Sequence, residues 1–145
     1  MRPRSSIVRG FVLAVSLPAI VALGATQLGC GSPQEMRSAS GVPASQGTVS
    51  ATAGDNGNTN LSIRVKHLAP PEQISSEATV YVVWIQPRDF PRQNVGALTL
   101  SDNLEGSLDT VTPHRRFMVS VTPESIGTAG RPTNAPVFTA DVDGS

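Results

Sequence analysis

The chain has 145 residues, enough for one domain, with 39% hydrophobic, 15% charged and 4% aromatic residues. Its formal net charge is zero, but Arg2, Arg4 and Arg9 lie at the N-terminus, so residues 31 to 145 carry eight basic against eleven acidic groups. Because neutralising phosphates requires clustered Lys and Arg, and Arg115-Arg116 is the only basic doublet, we expect no nucleic-acid partner.

The first thirty residues have the order of an export signal. Three arginines in residues 1–10 precede an apolar run of about 15 residues, which is followed by small residues and Cys30, the only cysteine. The apolar run is shorter than the roughly 20 residues of a spanning helix. The arginines favour the cytoplasmic side, so we expect everything after residue 30 to lie outside the cytoplasm.

The stretch GATQLGCGS at 24–32 resembles a bacterial lipoprotein signal, in which signal peptidase II cleaves before a cysteine that receives diacylglycerol. The resemblance implies a signal peptide at 1–29, a lipidated Cys30 and a membrane-anchored lipoprotein of the cell envelope. Because the next residue, Gly31, is not Asp, the resemblance also permits transfer to the outer membrane.

Two alternatives to lipidation stay open at this point. Gln27 and Leu28 stand where the lipoprotein family prefers a leucine and a small residue. Cleavage by ordinary signal peptidase after Gly24, with Ala22 two residues before it, would release a secreted chain. An uncleaved anchor reaching Leu28 would instead keep the segment in the membrane.

Residues 30–60 are predicted to be a disordered linker. Of the 30 positions from 31 to 60, 22 are Gly, Ser, Thr, Asn, Pro or Ala, and none is aromatic. Such a composition buries too little apolar surface to offset the entropy of ordering. Flexible-chain statistics give an end-to-end distance of roughly 30 Å, which would lift a domain clear of the lipid.

From residue 61 the pattern changes to short runs with a period of two, typical of β-strands. Leu61, Ile63 and Val65 alternate with polar residues, whereas the run at 79–85 is apolar on both faces and predicts a central strand. The predicted strands are 61–68, 79–85, 95–100, 106–111, 116–121 and 137–142. They indicate an all-β domain at 61–145, a small antiparallel β-sandwich of Ig-like type or a partly open barrel.

Without a disulfide, this domain depends on its apolar core. The predicted core residues are Ile63, Val65, Tyr81, Val83, Trp84, Leu98, Leu108, Phe117, Val119 and Phe138.

Four segments together resemble the extracytoplasmic C-terminal domain of anti-sigma-K factors. They are Y-V-V-W-I at 81–85, V-G-A-L-T-L at 95–100, V-S-V-T-P-E at 119–124 and G-R-P-T-N-A-P-V-F at 130–138. The resemblance implies a β-sandwich and carries no catalytic residue. That family holds its sigma factor with a cytoplasmic domain of roughly a hundred residues, whereas ten residues precede the apolar run here, so we do not expect sigma-factor sequestration.

No catalytic or cofactor motif stands out, so we expect no enzyme, cofactor or metal. The sequence has no G-x-S-x-G elbow, no CxxC pair and no glycine-rich phosphate loop. His67 and His114 are too few to complete a metal site without carboxylates of known proximity. We expect both to have structural or solvent roles.

Two groups of apolar residues are candidates for binding. Phe90, in a loop between Pro87 and Pro91, is the candidate partner contact, together with the loop at 123–136. We therefore expect a non-catalytic structural or protein-interaction module with an envelope protein as partner. The alternative is a small-ligand or carbohydrate-binding module that uses a sheet face carrying Tyr81 and Trp84, although packing in the core also explains this pair.

Overall fold

A computed structural model of the chain describes residues 32–39, 41–42 and 44–144. The predictions for the signal at 1–29 and for Cys30 fall outside these residues. The described residues form two antiparallel sheets that face each other and are not closed into a barrel, which confirms the all-β sandwich.

The first sheet has four strands in the order β1-β3-β4-β7, and the second has five in the order β2-β9-β8-β5-β6. The strands are β1 Gln34–Glu35, β2 Arg37–Ser38, β3 Gln46–Ala53, β4 Thr59–Lys66, β5 Val80–Pro87, β6 Gln93–Leu98, β7 Gly106–Thr112, β8 Arg116–Glu124 and β9 Phe138–Asp143. A short helix, α1, spans Pro71–Ile74, and a 3₁₀ turn spans Asp55–Gly57. All six strands predicted from the sequence are present, with ends shifted by a few residues.

The predicted boundary between linker and domain at residue 61 is wrong. Strand β3 lies inside the first sheet and pairs with β4 along its whole length, from Gln46 opposite Lys66 to Ala53 opposite Thr59. Further upstream, β1 and β2 lie on either side of Met36, which is buried and donates its backbone N–H to Gly47 O at 2.8 Å. The domain therefore begins by Gln34, and most of the segment read as a linker belongs to the sandwich.

The core lies between the sheets and matches the predicted list closely. Nine of the ten predicted residues are buried, and the tenth, Leu108, is partly buried and packs against the core. Trp84 is fully buried but stands outside the cluster between the sheets. Because neighbouring side chains on a strand point to opposite faces, Tyr81 and Val83 face the core and Trp84 faces the outer side of the second sheet.

The sandwich has two ends, which we call lower and upper. The lower end carries the turns at 54–58, 88–92 and 113–115, which lie together: the Phe90 and His114 rings are 4.9 Å apart, and Gly144 N donates to Arg115 O at 2.6 Å. The upper end carries the connections at 39–45, 67–79 and 99–105. The long connection at 125–137 also starts from the upper end, because it follows β8.

Candidate functional site

The most connected polar side chain among the described residues is the buried carboxylate of Glu124, at the upper end of β8. It is 1% exposed and accepts hydrogen bonds from Thr122 Oγ1 at 2.6 Å and from the Thr133 backbone N–H at 3.0 and 3.1 Å. The Thr133 hydroxyl donates a further hydrogen bond to it. The carboxylate thus joins β8 to the loop at 125–136.

Trp84 extends this network. Its indole Nε1–H donates to Thr122 Oγ1 at 2.8 Å, and the Thr122 hydroxyl donates in turn to Glu124. Since Trp84 is on β5 and Thr122 on β8, the network also joins two neighbouring strands on the outer face of the second sheet. A buried indole N–H needs such an acceptor, and Thr122 supplies it.

The loop at 125–136 is fixed to this face at two places. Near its C-terminal end, Asn134 Nδ2 donates to Pro123 O at 2.7 Å, beside the Thr133 contacts. Near its start, Asn94 Nδ2 on β6 donates to Gly127 O at 2.9 Å and Ala129 O at 3.0 Å. Because β5 lies between β8 and β6, a loop tied to both crosses β5 where Trp84 stands, which accounts for the burial of that ring.

The electrostatics of Glu124 are those of a fixed anion. Burial alone would raise its pKa, but the hydrogen bonds from Thr122 and Thr133 stabilise the charged form and hold the pKa below its ordinary value. The carboxylate oxygens are occupied by donors of the same chain and are shielded from solvent. This arrangement clamps a loop, and it leaves the group neither a proton to donate nor access to a substrate.

Tyr81 has a comparable structural role on the opposite face of β5. Its hydroxyl donates to Ala69 O at 2.7 Å, which ties the 67–79 connection to the core. Burial, with a smaller contribution from the negative charge of Glu72, raises the pKa of Tyr81 to about 12, so the phenol is neutral at physiological pH.

These positions bear on the proposed aromatic platform. Tyr81 and Trp84 are both 0% exposed and point to opposite sides of the sheet. An exposed face presenting both rings, as a carbohydrate-binding module would need, is therefore not formed by this pair. Their burial gives no support to the ligand-binding alternative.

The histidines are far apart. His67 follows β4 at the upper end, whereas His114 lies in the 113–115 turn at the lower end. Within the described ranges, no group of three or more His, Cys, Asp or Glu residues is placed to hold a metal ion.

Phe90 is exposed, as an apolar contact residue would be. The residue is 53% accessible, and its turn is fixed by Gln86 Nε2, which donates to Phe90 O at 2.6 Å. The structure does not bring Phe90 together with the 123–136 loop as one surface. The exposed apolar residue of that loop, Ile126, follows Ser125, whose carbonyl accepts from Thr79 Oγ1 at 2.9 Å at the upper end.

Sequence reasoning missed the Glu124 network, although Glu124 and Thr133 both lie in segments that the sequence analysis singled out. Thr133 belongs to the P-T-N-A-P segment and Glu124 ends the V-S-V-T-P-E segment of the anti-sigma-K resemblance. The signal that could have found the clamp is an acidic residue at the end of an apolar strand, followed by a Pro-Thr-Asn turn. Glu124 and Thr133 are nine residues apart, and this separation forms no periodic pattern in the sequence.

No helix in the part of the chain that the structure describes is long and apolar enough to cross a bilayer. Comparison with protein-family models, with curated proteins and with solved structures found no match for this chain.

Proposed function

We propose that the protein is an exported, non-catalytic lipoprotein of the cell envelope whose β-sandwich is a structural or protein-interaction module. The observation that carries this proposal is that the buried carboxylate, phenol and indole groups hold the fold together. Glu124, Tyr81 and Trp84 are all buried and bonded within the chain. The large apolar groups left at the surface, Phe90 and Ile126 among them, are suited to contact rather than to chemistry.

The proposed location at the cell envelope depends on the N-terminal sequence. A basic start, a short apolar run and a Gly-Cys-Gly junction support export, cleavage before Cys30 and lipid attachment. Each buried methylene contributes about 0.8 kcal/mol, so several acyl chains hold a protein on a bilayer far longer than one. With Gly31 after the cysteine, the outer membrane is the proposed destination. The resemblance to the anti-sigma-K outer domain agrees with a place outside the cytoplasm.

The anchor is tested by mass spectrometry of the protein purified from its native membrane fraction. We expect a mature N-terminus at Cys30 with the mass of attached acyl chains, and release of a Cys30→Ser variant from the membrane. A cytosolic protein that retains Met1 contradicts both export and lipidation. An unmodified N-terminus at Ala25 in a soluble fraction contradicts lipidation while leaving export intact.

The interaction role is tested by crosslinking and pull-down from envelope fractions. Phe90→Ala and Ile126→Ala each remove one exposed apolar contact, and Val111→Ala, at a third exposed position on β7, is the matched control. We expect at least one of the first two variants, but not the control, to lose a specific crosslinked species. Identical crosslinking patterns for all four proteins contradict the assignment of these residues as contacts.

A further inference from the structure

We infer that the lower end of the sandwich rests on the phospholipid surface, with Phe90 in contact with the lipid. The inference depends on the proposed function, in which the N-terminus holds the chain to a membrane, and it names the partner that Phe90 meets. It follows from two features: where the chain enters the fold and what the lower end exposes.

The entry of the chain fixes the direction of the anchor. Strand β1 is antiparallel to β3, with Gln34 opposite Val49, so the N-terminal end of β1 points towards Ala53 and the 54–58 turn at the lower end. Cys30 precedes Gln34 by four residues, which span at most about 14 Å.

That reach matches the distance to the lower end. From Val49 to Ala53 is four strand residues, about 13 Å. Four extended residues that continue in the direction of β1 would bring an anchored Cys30 level with the lower end and not far beyond it. To bring the upper end to the bilayer, the same four residues would have to reverse direction and pass the 39–45 connection. The same reasoning applies to an uncleaved anchor ending at Leu28, because it leaves the membrane only two residues earlier.

The lower end exposes an aromatic ring at the required place. Phe90 projects from the 88–92 turn, which is next to the 113–115 turn through the contact with His114. The prolines on both sides restrict this loop, so displaying the ring costs little additional order. An exposed aromatic side chain gains free energy by entering the interfacial region of a bilayer.

The two ends differ only slightly in charge. At the lower end, basic and acidic residues balance: Arg88, Arg92, Arg115 and Arg116 against Asp55, Asp89, Asp141 and Asp143. At the upper end, counted to the same depth, Glu35, Glu72, Glu77, Asp102, Glu105 and Glu124 stand against Arg37, Arg64, Lys66 and Arg131. The acidic excess of the upper end is small and includes the buried Glu124, so charge agrees with the orientation but does not decide it.

The test uses tryptophan quenching by brominated lipid. Protein carrying its native N-terminal modification is reconstituted into phosphatidylethanolamine–phosphatidylglycerol vesicles, with and without brominated acyl chains. Phe90→Trp places a probe at the lower end, and Ile126→Trp places one at a similarly exposed site, 57% against 53% accessible, at the upper end. The wild-type protein gives the background, because its only tryptophan, Trp84, is fully buried.

We expect brominated lipid to lower the emission of Phe90→Trp at least about two-fold relative to Ile126→Trp and to leave Ile126→Trp at the wild-type level. Vesicle-bound protein with equal quenching of both variants, or with none, overturns the orientation and leaves the anchor standing. An unquenched but blue-shifted Phe90→Trp emission assigns the residue to a protein surface, a second copy included, and also overturns the inference. Failure to float with the vesicles overturns the proposed anchor together with the orientation.

Discussion

Replacing Thr122 with valine tests the hydrogen-bond network most directly. Valine keeps the shape and the β-branching of threonine but removes the hydroxyl that accepts from Trp84 Nε1 and donates to Glu124. The substitution leaves a fully buried indole N–H without a partner and takes one donor from a buried carboxylate.

The expected cost follows from the two lost contacts. Leaving a buried donor unsatisfied costs about 1–3 kcal/mol, and losing a hydrogen bond to a charged group costs about 1.5–3 kcal/mol. The two share one hydroxyl and do not add fully, so we expect Thr122→Val to lower the free energy of unfolding by about 2–5 kcal/mol. This is a large part of the roughly 5–15 kcal/mol typical of a domain.

Equilibrium denaturation measures this change, with Trp84 fluorescence and circular dichroism as independent probes. The matched control is Thr139→Val on the adjacent strand β9, which faces the same side of the sheet and makes no side-chain hydrogen bond to the described residues. We expect the control to change stability by less than about 0.5 kcal/mol. Equal losses in both variants, or a loss below about 0.5 kcal/mol for Thr122→Val, would refute the assignment of the hydroxyl as the centre of the clamp.

Three further predictions concern backbone strain, the domain boundary and pH. Gly96 has φ +144°, and an added Cβ would lie 2.8 Å from Leu108 Cδ1. Gly96→Ala should therefore destabilise the domain by about 1–3 kcal/mol in thermal unfolding. The control Gly130→Ala should not destabilise it, because the space around Gly130 is open. A chain that starts at residue 61 lacks β3 and should fail to give a cooperative unfolding transition, while one that starts at residue 32 should unfold cooperatively. Because the pKa of Glu124 is lowered in the folded state, its ionised carboxylate stabilises the fold fully above about pH 5, and this stabilisation is lost as the pH falls further. The denaturation midpoint of the wild-type protein should therefore drop more between pH 6 and 3.5 than that of Glu124→Gln. Parallel curves for the two proteins would contradict this prediction.

The fold could be predicted where the side-chain pattern was strong. Strand β4 alternates buried and accessible residues as Leu61, Ile63 and Val65 indicated, and β5 is an internal strand as its doubly apolar run indicated. Strand β3 could not be predicted because its residues are mostly small and polar. Its inward side is made by Gly47, Val49 and Ala51, and the missing Cβ of Gly47 leaves room for the Phe138 ring. It is a strand because β4 offers a full-length partner, which is a tertiary cause.

The candidate site was less predictable for a related reason. Trp84 was expected to be buried, and it is, but it lies on the outer face of the second sheet, where its burial depends on the loop that covers it. That loop has no periodic pattern, and its anchoring depends on Asn94 and Glu124, which are distant from it in the sequence or at its edge. Contacts of this kind follow from the packing of three strands and a loop, which no local window contains.

The missed strands change the expected relation between domain and membrane. A linker of 30 residues would separate a domain from its anchor by roughly 30 Å and allow it to turn freely, so no face would be defined as the membrane side. With β1 starting at Gln34, only three residues separate Cys30 from the sandwich, so in the proposed lipid-anchored form the direction of β1 favours the lower end as the one that faces the lipid. The orientation proposed for Phe90 therefore depends on where the domain begins. In the proposed lipoprotein, a domain that starts at Gln34 is joined to its anchor by too short a segment to turn freely.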